Sequence, residues 1–251
     1  MSPPKKIVVL LSGGLDSSTC AYLVSKKSKP YLKDRVFTLT FDYGQRHKKE
    51  IITASRVAKK IRAVRHKVFK LDLKLFGGSS LTSSRLKVPQ NQKSVLNLTK
   101  RSISKIPNTY VPARNTVFLS LALAYAEAIG AEEIYIGVNS IDYSGYVDCR
   151  PEFIRKFQKL ADFATVCGVK GRPVKIKTPL IKKTKTEIIR LGTKLGVDWK
   201  NTWSCYLGKK LPCGLCDSCQ LRLKGFMQAG IADPIQYKKF PEFYEKWLQS
   251  D

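Results

Sequence analysis

The apolar run IVVLL at residues 7–11 passes without a break into SGGLDSS at residues 12–18, and few folds accommodate that junction. A short run of branched apolar residues suits a strand buried on both faces. Gly13 and Gly14 let the backbone turn sharply where the strand ends and aim its N–H groups at an anion; a helix starting at the turn adds the positive end of its dipole. The hydroxyls of Ser12 and Ser17 supply further donors. The junction therefore reads as strand, oxyanion cradle and helix. A P-loop of the kinase kind needs GxxxxGK followed by Ser or Thr, and no such lysine is present. Asp16 sits in the cradle instead, a suitable ligand for the magnesium that accompanies a nucleotide.

Further short apolar runs rich in β-branched residues occur at RVFTLTF, HKVFKLDL, EEIYIGV and VKIKTPL, with helical spacing between most of them. KKEIITASRVAKKIRA places Ile51, Ile52, Ala54, Val57, Ala58 and Ile61 on one stripe, and NTVFLSLALAYAEAIG is apolar almost all round, as in a helix packed between layers. RPEFIRKFQKLADFATVCG and TKTEIIRLGTKLG follow, the latter with Thr184 three residues before Glu187 in a capping-box arrangement. Alternating strands and helices predict an α/β fold, a Rossmann-like doubly wound parallel sheet over residues 1–200, with a small C-terminal helical region over 201–251. Between Leu73 and Ala126 there is no acidic residue, and the Ser-, Asn- and Lys-rich segment 84–105 reads as a basic insertion or flap.

Seven cysteines do not pair evenly, and four of them crowd together as Cys205, Cys213, Cys216 and Cys219. That distribution argues against a disulfide scaffold. Four soft thiolates in this spacing suit one closed, structural zinc per chain; an iron–sulfur cluster or a redox pair are the alternatives. The formal charge of +27 favours encounter with polyanions, from nucleotides to nucleic acid, and permits nucleic-acid binding without requiring it. No apolar run approaches the roughly 18 residues that span a bilayer, so no membrane partner and a cytoplasmic location are expected.

Three other segments carry chemistry-bearing residues. FDYGQRHKKE follows the second strand and puts Asp42, Gln45, Arg46 and His47 at the carboxyl edge of the sheet, where open α/β folds bind ligands. IPNTYVPARN brings Arg114 and Asn115 to the start of the very apolar helix. GVNSIDYSGYVDCRPEF carries Asp142, Tyr143, Tyr146 and Asp148 on a loop at the same edge; a carboxylate there can accept from an amidine edge and a tyrosine can stack on a flat ring. The plainer role for such aspartates is turn former or helix cap.

SGGLDSS resembles the SGGxDS loop of the N-type ATP pyrophosphatases, the PP-loop superfamily. Together with FDYGQRH, VPARN, SGYVDCR and the cysteine cluster, in this order, the chain is similar to the 7-cyano-7-deazaguanine synthases, the QueC family of queuosine biosynthesis. The resemblance implies a C–N ligase that turns 7-carboxy-7-deazaguanine, ammonia and ATP into the nitrile through an adenylated carboxylate, an amide and an adenylated amide, and it implies a homodimer. It also implies roles: Ser12, Gly13, Gly14, Asp16, Ser17 and Ser18 for pyrophosphate and magnesium, with Leu10, Leu11 and Leu15 framing the nucleotide loop; Phe41 and Asp42 near adenine; Arg46 and Arg114 near phosphate or the substrate carboxylate; Asn115, Asp142, Tyr143 and Asp148 for the deazaguanine; and Lys185 for stabilising negative charge. Leu15 stands where many relatives carry a polar residue. Two other readings compete: a PP-loop tRNA-modifying enzyme binding tRNA through its basic surface, and a non-catalytic nucleotide- and zinc-binding module.

Overall fold

The computed structural model describes residues 5–27, 35–46, 48–90, 106–141 and 146–250. All five apolar runs are strands: β1 (Lys6–Leu10), β2 (Val36–Asp42), β3 (Arg65–Lys70), β4 (Ala131–Ile136) and β5 (Lys175–Lys177). They form one parallel sheet in the order β3-β2-β1-β4-β5. Parallel neighbours require crossovers, and the helices supply them: α1 (Leu15–Lys27), α2 (Lys49–Lys60), α3 (Arg114–Ile129), α4 (Pro151–Ala164), a short α5 (Val166–Val169), α6 (Lys185–Leu195), α7 (Asp217–Ala229) and α8 (Glu242–Leu248). The chain moves from β1 outward to β3, then returns across the sheet through α3 to β4 on the other side of β1. The strand order therefore reverses between β1 and β4, which is where an open α/β sheet leaves a crevice beyond its carboxyl ends.

Alternate residues of β1 serve opposite faces. Ile7, Val9 and Leu11 pack with Ala21 and Val24 of α1 and Ala54, Val57 and Ala58 of α2. Val8 and Leu10 join Leu119, Ala122 and Ala126 of α3 and Ile154 and Phe157 of α4. The second cluster continues without interruption through Cys205, Cys216, Cys219, Tyr237 and Tyr244, so the C-terminal region shares its core with the sheet. Among the described residues no helix is long and apolar enough to cross a membrane.

Two expectations change. Ile52 is 53% exposed while Thr53 is buried, because the buried stripe of α2 runs through 53, 54, 57, 58 and 61. And α3 is not enclosed all round: Ser120, Ala124 and Ala128 are exposed, since small side chains made its outer face look as apolar as the inner one. The capping box opening α6 is present, with the Glu187 N–H donating to Thr184 Oγ1 at 3.2 Å and the Thr184 N–H donating to Glu187 Oε2 at 2.7 Å. In the segment 84–105, residues 84–90 form a loop that ends where Gln90 makes an isolated antiparallel bridge to Cys216; 91–105 lie outside the described residues.

Candidate active site

The loop after β1 is folded by its own hydroxyls. Ser17 Oγ lies 2.9 Å from Ser12 Oγ, accepts from the Ser12 N–H and donates to the Gly14 carbonyl, while Ser12 Oγ accepts from the Gly14 N–H. Gly13 has φ +76°, and a Cβ on it would stand 2.3 Å from Thr53 Oγ1 and 2.4 Å from the Glu50 carbonyl. Glycine is thus demanded twice, by conformation and by the closeness of α2. The result is a cradle at the N-terminus of α1, pressed against α2 on one side and open on the other.

The open side faces a cavity lined by Leu10, Leu11, Ser12, Gly14, Leu15, Asp16 and Ser17, by Phe41 from β2, by Arg114 and Asn115 from α3, by residues 136–139 beyond β4, and by Lys185. The C-terminal region adds Trp203, Ser204, Tyr206, Ser218 and Arg222 to the lining. Asp16 accepts two hydrogen bonds from Lys185 Nζ, at 2.7 and 2.8 Å, with both side chains largely buried. Arg114 is aimed here by a strained approach: Ala113, its predecessor, holds φ +50°. Its guanidinium donates to Tyr43 Oη at 3.3 Å and lies over the Tyr43 and Phe118 rings. Burial opposes its charge, but Tyr43, Asp148 and Tyr146 outweigh that and hold it protonated above the ordinary arginine range. Among the described residues it has no ion pair, although it lines the cavity. A half-buried cation so placed could receive an anion.

Several expected residues stand elsewhere. Gly13 and Ser18 lie behind the loop and do not line the cavity; Ser18 is fully buried with its Oγ unbonded. Arg46 donates to the carbonyls of Ser83 and Leu86 and so fastens the loop 79–86 instead of facing phosphate. Asp42 points away from the cavity, 4.0 Å from Lys48 Nζ. Asp148 caps α3, accepting from the Asn115 N–H at 2.9 Å, the plainer of the roles open to it. Asp142 and Tyr143 lie outside the described residues. Phe41 does line the cavity, its ring stacked on Phe118 at 4.0 Å. Sequence reasoning passed over Tyr43, Phe118, Trp203, Tyr206 and Arg222. Tyr43, Trp203 and Tyr206 carried a signal, each an aromatic in or beside a motif.

The sulfur atoms of Cys205, Cys213, Cys216 and Cys219 all lie within 4.8 Å of one another. Four thiolates about 2.3 Å from a shared tetrahedral zinc would stand roughly 3.8 Å apart, so the four fit a closed site. Backbone N–H groups donate to two of them, Cys213 N to Cys205 Sγ and Cys216 N to Cys213 Sγ, each at 3.3 Å. Hydrogen bonds from Cys205, Cys216 and Cys219 drive the Cys213 thiol down. The donor set is all sulfur with no open position, which suits a structural metal. Cys149 also lines the cavity, but burial pushes its thiol up to about 12, so at neutral pH it is no nucleophile.

An open parallel sheet with a serine–glycine cradle and an internal aspartate at the carboxyl end of its first strand defines a PP-loop α/β nucleotide-binding protein. The family model described as Queuosine biosynthesis protein QueC matches residues 6–230, and the chain belongs to that family. It is 51% identical over 239 residues to the 7-cyano-7-deazaguanine synthase of Anaeromyxobacter dehalogenans, covering 95% of this chain and 98% of the relative. It is 53% identical to the synthase of Saccharophagus degradans over 93% of this chain and 98% of the relative. With the synthase of Thermoplasma volcanium the identity is 50%, over 98% of this chain and 96% of the relative.

Proposed function

We propose that the protein is a nitrile-forming C–N ligase that converts 7-carboxy-7-deazaguanine, ammonia and two ATP into 7-cyano-7-deazaguanine, two AMP and two pyrophosphate. The observation that carries this reading, beside the family, is a cavity lined both by the anion cradle and by the guanidinium of Arg114, which makes no ion pair among the described residues.

A carboxylate resists attack by ammonia because its leaving group would be oxide. Transfer of AMP from ATP to the carboxylate oxygen expels pyrophosphate into the cradle formed by Ser12, Gly14 and Ser17; ammonia then displaces AMP and leaves the amide. Adenylation of the amide oxygen expels a second pyrophosphate, and loss of AMP and a proton completes the C≡N bond. Both activations load negative charge on the same departing phosphates, so one preorganised set of N–H and hydroxyl donors serves both. Lys185 stands beside this charge, and Arg114 holds the substrate carboxylate so that its oxygen meets the α-phosphate. Magnesium would be held by Asp16, a donor set of one carboxylate that the nucleotide's phosphates would have to complete, and it would neutralise charge there. Zinc in the tetrathiolate site would be structural. The neutral thiol of Cys149 speaks against a thiolase, which needs a reactive sulfur.

The test is incubation with ATP, magnesium, ammonium and 7-carboxy-7-deazaguanine, with mass spectrometry for amide and nitrile. Asp16→Asn is expected to lower nitrile formation at least a hundredfold while zinc content and circular dichroism stay unchanged. A protein that leaves the substrate untouched yet binds tRNA with a steep salt dependence would belong to the tRNA-modifying class instead.

A further inference from the structure

The cysteine knuckle is tied to three other parts of the fold: the 12–18 loop, the start of α2 and the loop that ends at Gln90. The backbone N–H of Trp203 donates to the Gly13 carbonyl at 2.9 Å, and its indole Nε1–H donates to the Cys205 carbonyl at 2.9 Å. One residue thus joins the cradle glycine to a cysteine of the tetrathiolate. Lys49, the first residue of α2, lies over the Trp203 ring at 4.4 Å and donates to the Lys210 carbonyl, inside the loop between Cys205 and Cys213. Gln90 pairs with Cys216. Trp203 is 7% exposed and packed in the main core, so its indole cannot turn without repacking its neighbours.

We propose that Trp203 is a positioning residue that couples metal occupancy of the cysteine site to nucleotide binding at the 12–18 loop, each favouring the other. A metal fixes the backbone at Cys205, the Cys205 carbonyl fixes the indole, and the Trp203 backbone holds the carbonyl of Gly13. Gly13 has little freedom to choose another shape, since α2 leaves no room behind it. With the metal gone, the stretch from Cys205 to Cys213 loses its closure and the prop under the cradle loosens. Coupling between binding free energies is reciprocal, so the nucleotide must tighten metal binding by the factor by which the metal tightens nucleotide binding. This rests on the reading of the cradle as an ATP site.

The experiment keeps the two apart. Equilibrium dialysis of the zinc-loaded protein first establishes whether ATP with magnesium binds; competition with a coloured chelator then gives the zinc dissociation constant with and without saturating ATP. The expected result is zinc held about tenfold more tightly with ATP, in the ordinary range of coupling between sites. Trp203→Phe keeps a ring beneath Lys49 but lacks the N–H. It is expected to retain one zinc per chain and to lose most of that tenfold difference. The wild-type comparison needs no variant, and it decides the matter if Trp203→Phe does not fold. Bound ATP with an unchanged zinc constant overturns the coupling alone, as does a Trp203→Phe protein with the full effect. Failure to bind ATP overturns the reading of the cradle and the coupling with it.

Discussion

Gly13 shows how much a single atom is worth in this loop. An added Cβ would overlap Thr53 Oγ1, the Glu50 carbonyl and the Ala54 nitrogen, and the φ of +76° would strain it further. Gly13→Ala is therefore expected to cost about 3 kcal/mol, at the severe end for a point change, because the clash is with helix backbone that cannot yield. Chemical denaturation measures it; a cost below about 1 kcal/mol would mean that α2 does not press on the loop as described. The loop was legible in the sequence because its requirements are local: two glycines, two hydroxyls and an aspartate in a row after a strand. Arg46 and Asp42 were misjudged because their place depends on partners far along the chain, Ser83 and Leu86 in one case and the direction of a turn in the other. Lys185 lines the cavity, but its salt bridge to Asp16 spans 169 positions, and nothing local in the chain announces such a pairing.

At the scale of elements, α6 matters for where it starts. Lys185 is its first residue, so the Thr184–Glu187 capping box both ends the preceding loop and aims the lysine at Asp16. Thr184→Ala is expected to cost about 1 kcal/mol in stability and, separately, to lower kcat more than a surface change would, because the helix start carries a lysine that lines the cavity. Unchanged kcat in a destabilised Thr184→Ala protein would show that the cap serves the helix alone. The edge strand β3 carries His66, whose Nδ1 lies 2.8 Å from Thr38 Oγ1 of β2 and whose Nε2 lies 3.2 Å from Ser55 Oγ of α2. Burial lowers its pKa below 6.5. Folding thus disfavours the imidazolium, and the unfolded chain binds the proton more readily. Stability is full above the unfolded value and falls as pH drops through the folded one. Histidine NMR titration should place His66 below 6.5, and His66→Gln should flatten the stability profile between pH 7 and 5. An imidazole titrating above 6.5 would reverse the sign. The strands and the long helices were legible through their period. The exposed face of α3 was not, because alanine and serine fit buried and exposed positions equally well.

Across the whole molecule, the division into a nucleotide-binding part and a C-terminal cysteine region describes the sequence better than the packing. Val8 and Leu39 of the sheet belong to one cluster with Cys205, Cys219, Leu223 and Tyr244. A second cluster joins Leu15 and Cys20 of α1 to Trp199 and Phe226 across α6. The Arg222 guanidinium is buried between the two regions, paired with Asp233 at 2.6 Å and donating to Thr202 Oγ1 and the Trp199 carbonyl. Removing the C-terminal region would expose apolar surface on the sheet side, and removing the rest would take the Trp199 carbonyl from the buried Arg222. The metal-loaded protein should accordingly unfold in one cooperative step. The three tryptophans stand at 199, 203 and 247, Trp199 packed against α1: fluorescence reports the C-terminal region and its junction with α1, whereas far-ultraviolet circular dichroism is dominated by the crossover helices. In urea the two signals are expected to share one midpoint and one slope. Chelation of the metal should move both midpoints down together, since a ligand that binds only the folded state stabilises everything that unfolds with it. A fluorescence transition that precedes the circular dichroism transition would show instead that the knuckle melts from an intact sheet, and the cavity would then be bounded by two separately stable walls.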